Sequence, residues 1–262
     1  MEELLAHLKA GTAIDRPIAV VGAHPDDETL GIGSRFALVR RLRLIQLTDG
    51  APRDLISARR EGFADWQGYA AAREAEVECA LETLGAAGAE RRRYGLPDKE
   101  ALDSLPDIVD RLVADLAGMA AVITHPFEHG HPDHDTASLA VSLACRKLQQ
   151  RGEATPLRLE FASYHLRDAG RVFGCFRPES GPPELEIVLT PAELARKQQA
   201  IACFKTQAEM LRQFPLTSER LRPAPDYDFR QAPGPALYEQ LEAMITSAQW
   251  LAQADAMLKR LS

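Results

Sequence analysis

Residues 18–28 read IAVVGAHPDDE, and the fold is decided by how this stretch is read. Ile18 to Val21 is a short apolar run of the kind that forms a buried strand, and it is followed closely by a histidine and three acids. The pattern recurs. Leu42 to Leu47 is a second apolar run, closed by the turn-forming Asp49-Gly50, and Ala121 to Thr124 is a third, again ending at a histidine, His125. Longer segments rich in helix formers lie at about 30–41, 70–86, 102–117 and 135–151, the second with Gly85 as a C-terminal stop. Strands alternating with helices predict an α/β domain with a mostly parallel sheet and helices on both faces, a Rossmann-like architecture.

From about residue 157 the pattern changes. LRLEFASYHLR and ELEIVLT predict additional C-terminal strands, and Thr190-Pro191 with Glu193 opens a helix over about 191–212. Pro215, Pro223, Pro225, Pro233 and Pro235 then forbid a long regular element over about 213–238. Phe214, Tyr227, Phe229 and Tyr238 in that segment favour a loop draped over the domain, because a solvated linker gains nothing from aromatics. The 262 residues, 45% of them hydrophobic, are enough for a single domain over 1–262.

The chain holds 31 Lys plus Arg against 38 Asp plus Glu, so its charge gives no reason to expect nucleic acid or an anionic membrane surface as a partner. The acidic N-terminus lacks a signal layout, and no stretch approaches the ~20 apolar residues of a spanning helix. A soluble cytoplasmic protein is expected. Cys79, Cys145, Cys175 and Cys203 contain no C-x-x-C pair and read as reduced packing residues. Nothing in the sequence fixes an oligomeric state.

Two clusters carry the chemistry. His24-Pro25-Asp26-Asp27-Glu28 follows the first strand, and His125 to Asp135, HPFEHGHPDHD, follows the third and holds four of the seven histidines. Ligands of open α/β sheets bind outside the carboxyl ends of the strands, where both clusters fall. An Asp-rich helix cap explains the first cluster alone equally well; a core histidine is usually solitary, so the second points to metal or proton-transfer work. A catalytic zinc takes about three His or carboxylate ligands and keeps one position open. His24, Asp27 and His134 supply that number. Asp26 is then the adjacent uncoordinated base, His131 is free to stabilise an oxyanion or protonate the leaving amine, and Asp133 can orient His131. Such a site accepts Zn²⁺, with Fe²⁺ or Co²⁺ as alternatives.

AHPDDE followed by HPDH resembles the PIG-L or LmbE-like deacetylases, which remove acetyl from N-acetylglucosamine-type sugars. Thr48 to Gly50, the helical segment with Arg73 and Glu74, GLPD at Gly95 to Asp98, and ARKQQAIACFKTQ at 195–207 resemble that family in the same order, over about residues 17–212. The resemblance implies His24, Asp27 and His134 as the metal triad, Asp26 as general base, His131 as oxyanion-stabilising or acid histidine, and Arg73 as a substrate-binding arginine. Asp49 is similar to an acidic residue of the family, although capping explains it as well. The implied partner is a small-molecule amino-sugar glycoconjugate. A metal-dependent amidase acting on a sugar-thiol conjugate or another amide is the alternative enzyme, and a non-catalytic sugar-binding protein the alternative class. Gly31-Ile32-Gly33 lacks the full dinucleotide-binding pattern and follows acids that would repel a pyrophosphate.

Overall fold

The computed structural model describes residues 1–168, 170–178, 181–241 and 244–261. In chain order the elements are α1 (Glu2–Ala10), β1 (Ile18–Gly22), α2 (Asp27–Ile32), β2 (Leu42–Thr48), α3 (Ile56–Arg60), α4 (Trp66–Thr83), β3 (Glu90–Leu96), α5 (Leu105–Leu116) and β4 (Ala121–Thr124). There follow α6 (Pro132–Gln150), β5 (Leu157–Phe161), β6 (Tyr164–Arg167), β7 (Gly170–Phe173), β8 (Leu185–Val188), α7 (Pro191–Ile201), α8 (Ala208–Leu211), β9 (Ser218–Pro223) and α9 (Ser247–Leu261).

The main sheet has the order β3-β2-β1-β4-β5-β9-β8. The first five strands of that order run parallel, and β9 then pairs antiparallel with both β5 and β8. Because the chain winds outward from β1 through β2 to β3 and then returns to place β4 on the other side of β1, the strand order reverses between β1 and β4. That reversal opens a crevice at the carboxyl edge of the sheet.

All five residues of β1 are buried and alternate between two cores. Ala19 and Val21 join Leu105, Leu112 and Leu139 with Trp250 of α9, whereas Ile18 and Val20 join Leu4, Leu8, Val77, Leu81 and Ala200. Thus α5, α6 and α9 cover one face, and α1, α2, α4 and α7 the other. A strand covered on both faces needs a continuous apolar run, as seen in Ile18–Val21.

Several elements differ from the sequence expectation. The helix expected over 30–41 is instead the short α2 followed by a 3₁₀ turn over Gly33–Leu38. At Gly31 a Cβ would lie 2.4 Å from Cγ of Phe161, so this glycine lets α2 press onto β5. LRLEFASYHLR is two strands broken at Ala162-Ser163, with β6 leaving the sheet to pair with β7. The helix expected over 191–212 opens with a Thr190–Glu193 capping box but stops at Ile201. The proline-rich stretch is not loop throughout: β9 lies within it, bounded by prolines and filling the gap between β5 and β8. Beyond β9, Tyr238 and Phe229 are buried.

The cysteines require a further correction. Cys79 of α4 and Cys203, just past α7, form a disulfide across 124 residues, with Cα atoms 5.9 Å apart, while Cys145 and Cys175 are free. The pairing has no local spacing signal because it depends on α4 packing against α7. Disulfides persist in oxidising compartments, which counts against the cytoplasmic expectation. Among the described residues no helix is long and apolar enough to cross a membrane.

Candidate metal centre

Two loops meet at the crevice between β1 and β4. The first runs from Ala23 to Asp26 into α2, and the second from His125 to His131 into α6, whose N-cap is His131. His24, Asp26, Asp27, His131, Asp133 and His134 are each less than a tenth exposed. Six polar side chains buried together need partners or an ion, since each costs free energy unless satisfied.

The three expected ligands converge. His134 Nε2 lies 3.2 Å from His24 Nδ1, Asp27 Oδ2 lies 3.3 Å from His24 Nδ1, and Asp27 Oδ1 lies 3.3 Å from His134 Nε2. A tetrahedral ion with bonds of about 2.0–2.1 Å separates its ligand atoms by about 3.4 Å. The spacing therefore fits a divalent metal, and the remaining ring nitrogens are engaged as metal-ligating histidines require. His24 Nε2 faces Asp98 at 3.1 Å and Asp133 at 3.2 Å, and His134 Nδ1 lies 3.3 Å from the Ser163 hydroxyl. His125 stacks on His134 with ring centroids 3.9 Å apart and brings Nε2 to 3.2 Å from Asp27 Oδ2, fixing both ligands from behind.

The electrostatics agree. Burial opposes a charge on His24, yet Asp98, Asp133 and Asp27 outweigh it and hold its pKa well above the usual histidine value. Burial also opposes a charge on Asp27, and His134 with His125 overcomes it, keeping that carboxyl well below the ordinary range. His134 itself is lowered to about 4 by burial and by His125. Three carboxylates gathered around one imidazole make a place that favours positive charge, which a metal ion supplies.

Asp26 stands apart from the ligands. Its Oδ2 accepts a 2.9 Å bond from Arg73 Nη2, and burial pushes its carboxyl up to about 7, with Arg73 moderating the rise. Its backbone φ of 145° is a conformation that L residues rarely adopt, and such strain collects at functional sites. Arg73, on α4, is buried and turned inward: Nη1 donates to the Gly50 carbonyl at 2.6 Å, and Nη2 also donates to the Pro25 carbonyl at 3.0 Å. A side chain at Gly50 would collide with that guanidinium, its Cβ 2.3 Å from Nη1, so Gly50 of the Thr48-Asp49-Gly50 turn is what admits Arg73.

His131 Nδ1 accepts the backbone N–H of Asp133 at 3.2 Å, which leaves Nε2 as the position for its proton. Burial and the neighbouring His24 lower its pKa to about 3. The Asp133 side chain does not hold His131, from which it stands 4.0 Å away. It accepts the Lys99 and Ala101 N–H groups and reaches His24 instead. Asp98, unassigned from the sequence, is the second carboxylate at His24 Nε2, beside Asp133. Its signal was its position just beyond a strand end, but β3 reads ERRRYGL, with only Tyr94 buried, and does not look like a strand from composition.

The class defined by fold and site is an α/β protein with a Rossmann-like sheet whose switch point carries buried, overlapping His/Asp groups that could hold a metal ion. Residues 19–145 match the family model PIG-L: GlcNAc-PI de-N-acetylase, a segment that contains both histidine clusters. That segment, just under half of the chain, is similar to the PIG-L, or LmbE-like, family. A curated relative, the probable N-acetyl-alpha-D-glucosaminyl L-malate deacetylase 2 of Bacillus anthracis, is 27% identical over 164 residues, covering 60% of this chain and 71% of the relative. The structure of the A40926 pseudoaglycone deacetylase Dbv21 superposes with a TM-score of 0.57 at 17% identity, covering 80% of this chain and 97% of that one. The 4-carboxy-2-hydroxymuconate hydratase of Pseudomonas putida superposes with a TM-score of 0.55 at 20% identity, covering 81% and 97%. One architecture thus hosts a deacetylase and a hydratase, so function must be argued from the site.

Proposed function

We propose that the protein is a zinc-dependent hydrolase that removes the N-acetyl group from an N-acetylglucosamine-type amino sugar in a small glycoconjugate. The observation that carries this reading is the convergence of His24 Nδ1, His134 Nε2 and the two Asp27 oxygens at contacts of 3.2–3.3 Å, with the Asp26 carboxylate beside them and outside the set. The family match over residues 19–145 and the deacetylase name of the Bacillus anthracis relative support it. A set of two histidines and one carboxylate suits Zn²⁺, and accepts Fe²⁺ or Co²⁺.

When bound, the metal supplies Lewis acidity towards an acetamide carbonyl and towards water. Asp26 takes the proton of the attacking water on Oδ1, while Arg73 holds Oδ2 and so fixes the direction in which the free oxygen points. His131, accepting a backbone N–H at Nδ1, offers its Nε2–H to the oxyanion of the tetrahedral carbon. A neutral imidazole in that role donates a hydrogen bond and keeps its proton. The proton gathered by Asp26 then passes to the departing nitrogen, the C–N bond breaks, and acetate and a free amine result. Asp98 and Asp133 hold the His24 ring, a positioning role.

The test is acetate and amine release from a panel of N-acetylglucosaminyl glycosides, set beside a simple acetamide without a sugar. Equimolar acetate and free amine, lost on chelation and restored by Zn²⁺, are expected. Acetate release from the sugar-free amide at an equal rate would replace the sugar deacetylase with a general amidase, and release insensitive to chelation would remove the metal.

A further inference from the structure

The loop that carries His131 is held at both ends by residues with no part in the chemistry described above. At its start is His129, whose φ of 57° is a left-handed conformation that costs an L residue free energy unless its surroundings enforce it. Asp135, in the first turn of α6, enforces it: Oδ1 accepts the His129 backbone N–H at 3.0 Å, and Oδ2 meets the ring Nδ1 at 2.6 Å. The His129 carbonyl accepts the Leu237 N–H at 2.8 Å. At the far end of the loop Trp250 of α9 donates its indole N–H to the Pro132 carbonyl at 3.1 Å and to Thr136 Oγ1 at 3.3 Å. His129, Asp135 and Trp250 are fully buried.

An acid in the first turn of a helix ordinarily answers the helix N–H groups and the dipole. Asp135 does not, since both its oxygens are engaged by His129 and neither accepts a helix N–H among the described residues. Between the two anchors only Gly130 and His131 remain, and Gly130 is pressed against β6: a Cβ there would lie 2.1 Å from the Tyr164 carbonyl oxygen. The backbone under His131 is therefore fixed from three sides. Its ring has less support. Nδ1 accepts the Asp133 N–H at 3.2 Å, but Nε2, the end that faces the reaction, stands 3.8 Å from Asp98 Oδ1, beyond hydrogen-bond range. Where that Nε2–H points is thus set by the backbone more than by a side-chain partner.

We propose that Asp135 and Trp250 are positioning residues: Asp135 through His129, and Trp250 through Pro132, hold the two residues that flank Gly130-His131 and so aim the His131 Nε2–H at the oxyanion. Trp250 lies well outside residues 19–145, so a segment beyond the family match serves the centre. The inference rests on the role that the deacetylase reading gives His131, whereas the hold on the loop stands on the contacts alone. His134 is fixed separately, by Ser163 and by stacking on His125, so loosening the loop spares the metal. A misplacement of about 1 Å can cost on the order of 10²-fold in rate.

Asp135→Ala, Asp135→Asn and Trp250→Phe, each zinc-loaded, test it with the glycoside panel and with nitrogen-15 spectra of the histidine rings recorded without substrate. Asp135→Ala is expected to lower kcat at least about tenfold, with zinc content kept and KM within about twofold. Asp135→Asn is expected to stay within about threefold of wild type, because its amide oxygen still takes the His129 backbone N–H and its NH2 can give to Nδ1, the ring proton moving to the unpartnered His129 Nε2. A role exerted through charge would instead place Asp135→Asn with Asp135→Ala. Trp250→Phe removes one N–H and keeps a ring in the core; it should lower kcat at least about threefold, and it serves as the test if Asp135→Ala does not fold. In the spectra His131 is expected as a single Nε2–H tautomer in the wild type and as an exchanging mixture in Asp135→Ala and Trp250→Phe. Zinc lost in step with activity, Asp135→Asn as slow as Asp135→Ala, or a His131 signal unchanged by the substitutions would each overturn the proposal. Should the wild type release no acetate while the His131 signal still answers to these substitutions, the deacetylase reading fails and the hold on the loop remains.

Discussion

Asp26 and Asp27 are adjacent carboxylates buried to nearly the same degree, to which the proposed mechanism gives different work, and replacing each by asparagine separates the two roles. Asp27 contributes to the triad through both oxygens and also accepts the His24 N–H at 2.7 Å, so Asp27→Asn removes the anionic ligand and should lower zinc affinity. Asp26 touches none of the three ligand atoms, and Asp26→Asn should keep the metal. Its effect is a loss of ~10²–10⁴-fold in kcat, the usual value of a general base, without rescue by added Zn²⁺. Stability also bears on the result. Removing one partner of a buried ion pair costs about 3–5 kcal/mol when the other is left unanswered. Here Arg73 keeps two backbone carbonyls, and the asparagine oxygen can still accept its third bond, so Asp26→Asn should fall below that range and fold normally. Zinc content by elemental analysis, thermal melting and steady-state rates, measured on both variants, decide the matter. Zinc lost from Asp26→Asn and retained by Asp27→Asn would reverse the assignments, and full activity in both would reduce the motif to a helix cap.

Arg73→Lys keeps the charge but cannot reach Asp26, Pro25 and Gly50 together, so kcat should fall about tenfold or more with KM little changed; a rise confined to KM would restore the substrate-binding role implied by family resemblance. Gly31→Ala drives a methyl into Phe161 and should destabilise the fold by about 1–3 kcal/mol, read as a lower denaturation midpoint; an unchanged midpoint would show that α2 is free to move. Thiol titration of the unfolded, unreduced protein should find the two free cysteines, Cys145 and Cys175, and Cys79→Ser should lower stability by about 2–4 kcal/mol. Four titratable thiols would remove the bridge.

The parts of the fold readable in advance were those whose residues are contiguous and covered on both faces. Ile18–Val21 and Ala121–Thr124 are almost wholly apolar runs, and Leu42–Leu47 is apolar at four of its six positions, because β1, β2 and β4 lie inside the sheet. At one edge, β3 buries only Tyr94 and so has no apolar run, and with it went the significance of Asp98 at its end. β9 was hidden by Pro215 and Pro223, yet proline is tolerated at the ends of a strand, and the body of this one carries buried Glu219, Leu221 and Arg222. The two site motifs were legible because each is local, a strand end running into a helix. Relations between distant segments were not: the Cys79–Cys203 bridge, the Asp98 and Asp133 contacts to His24, and the inward turn of Arg73 depend on packing that no spacing records.

Diffraction measured on both sides of the zinc absorption edge, from crystals of the zinc-loaded protein, tests the metal centre most directly. A single anomalous peak is expected within about 2.0–2.2 Å of His24 Nδ1, His134 Nε2 and an Asp27 oxygen, with Asp26 uncoordinated. A peak on other residues, or none at this position after loading, would contradict the assignment on which the proposed chemistry depends.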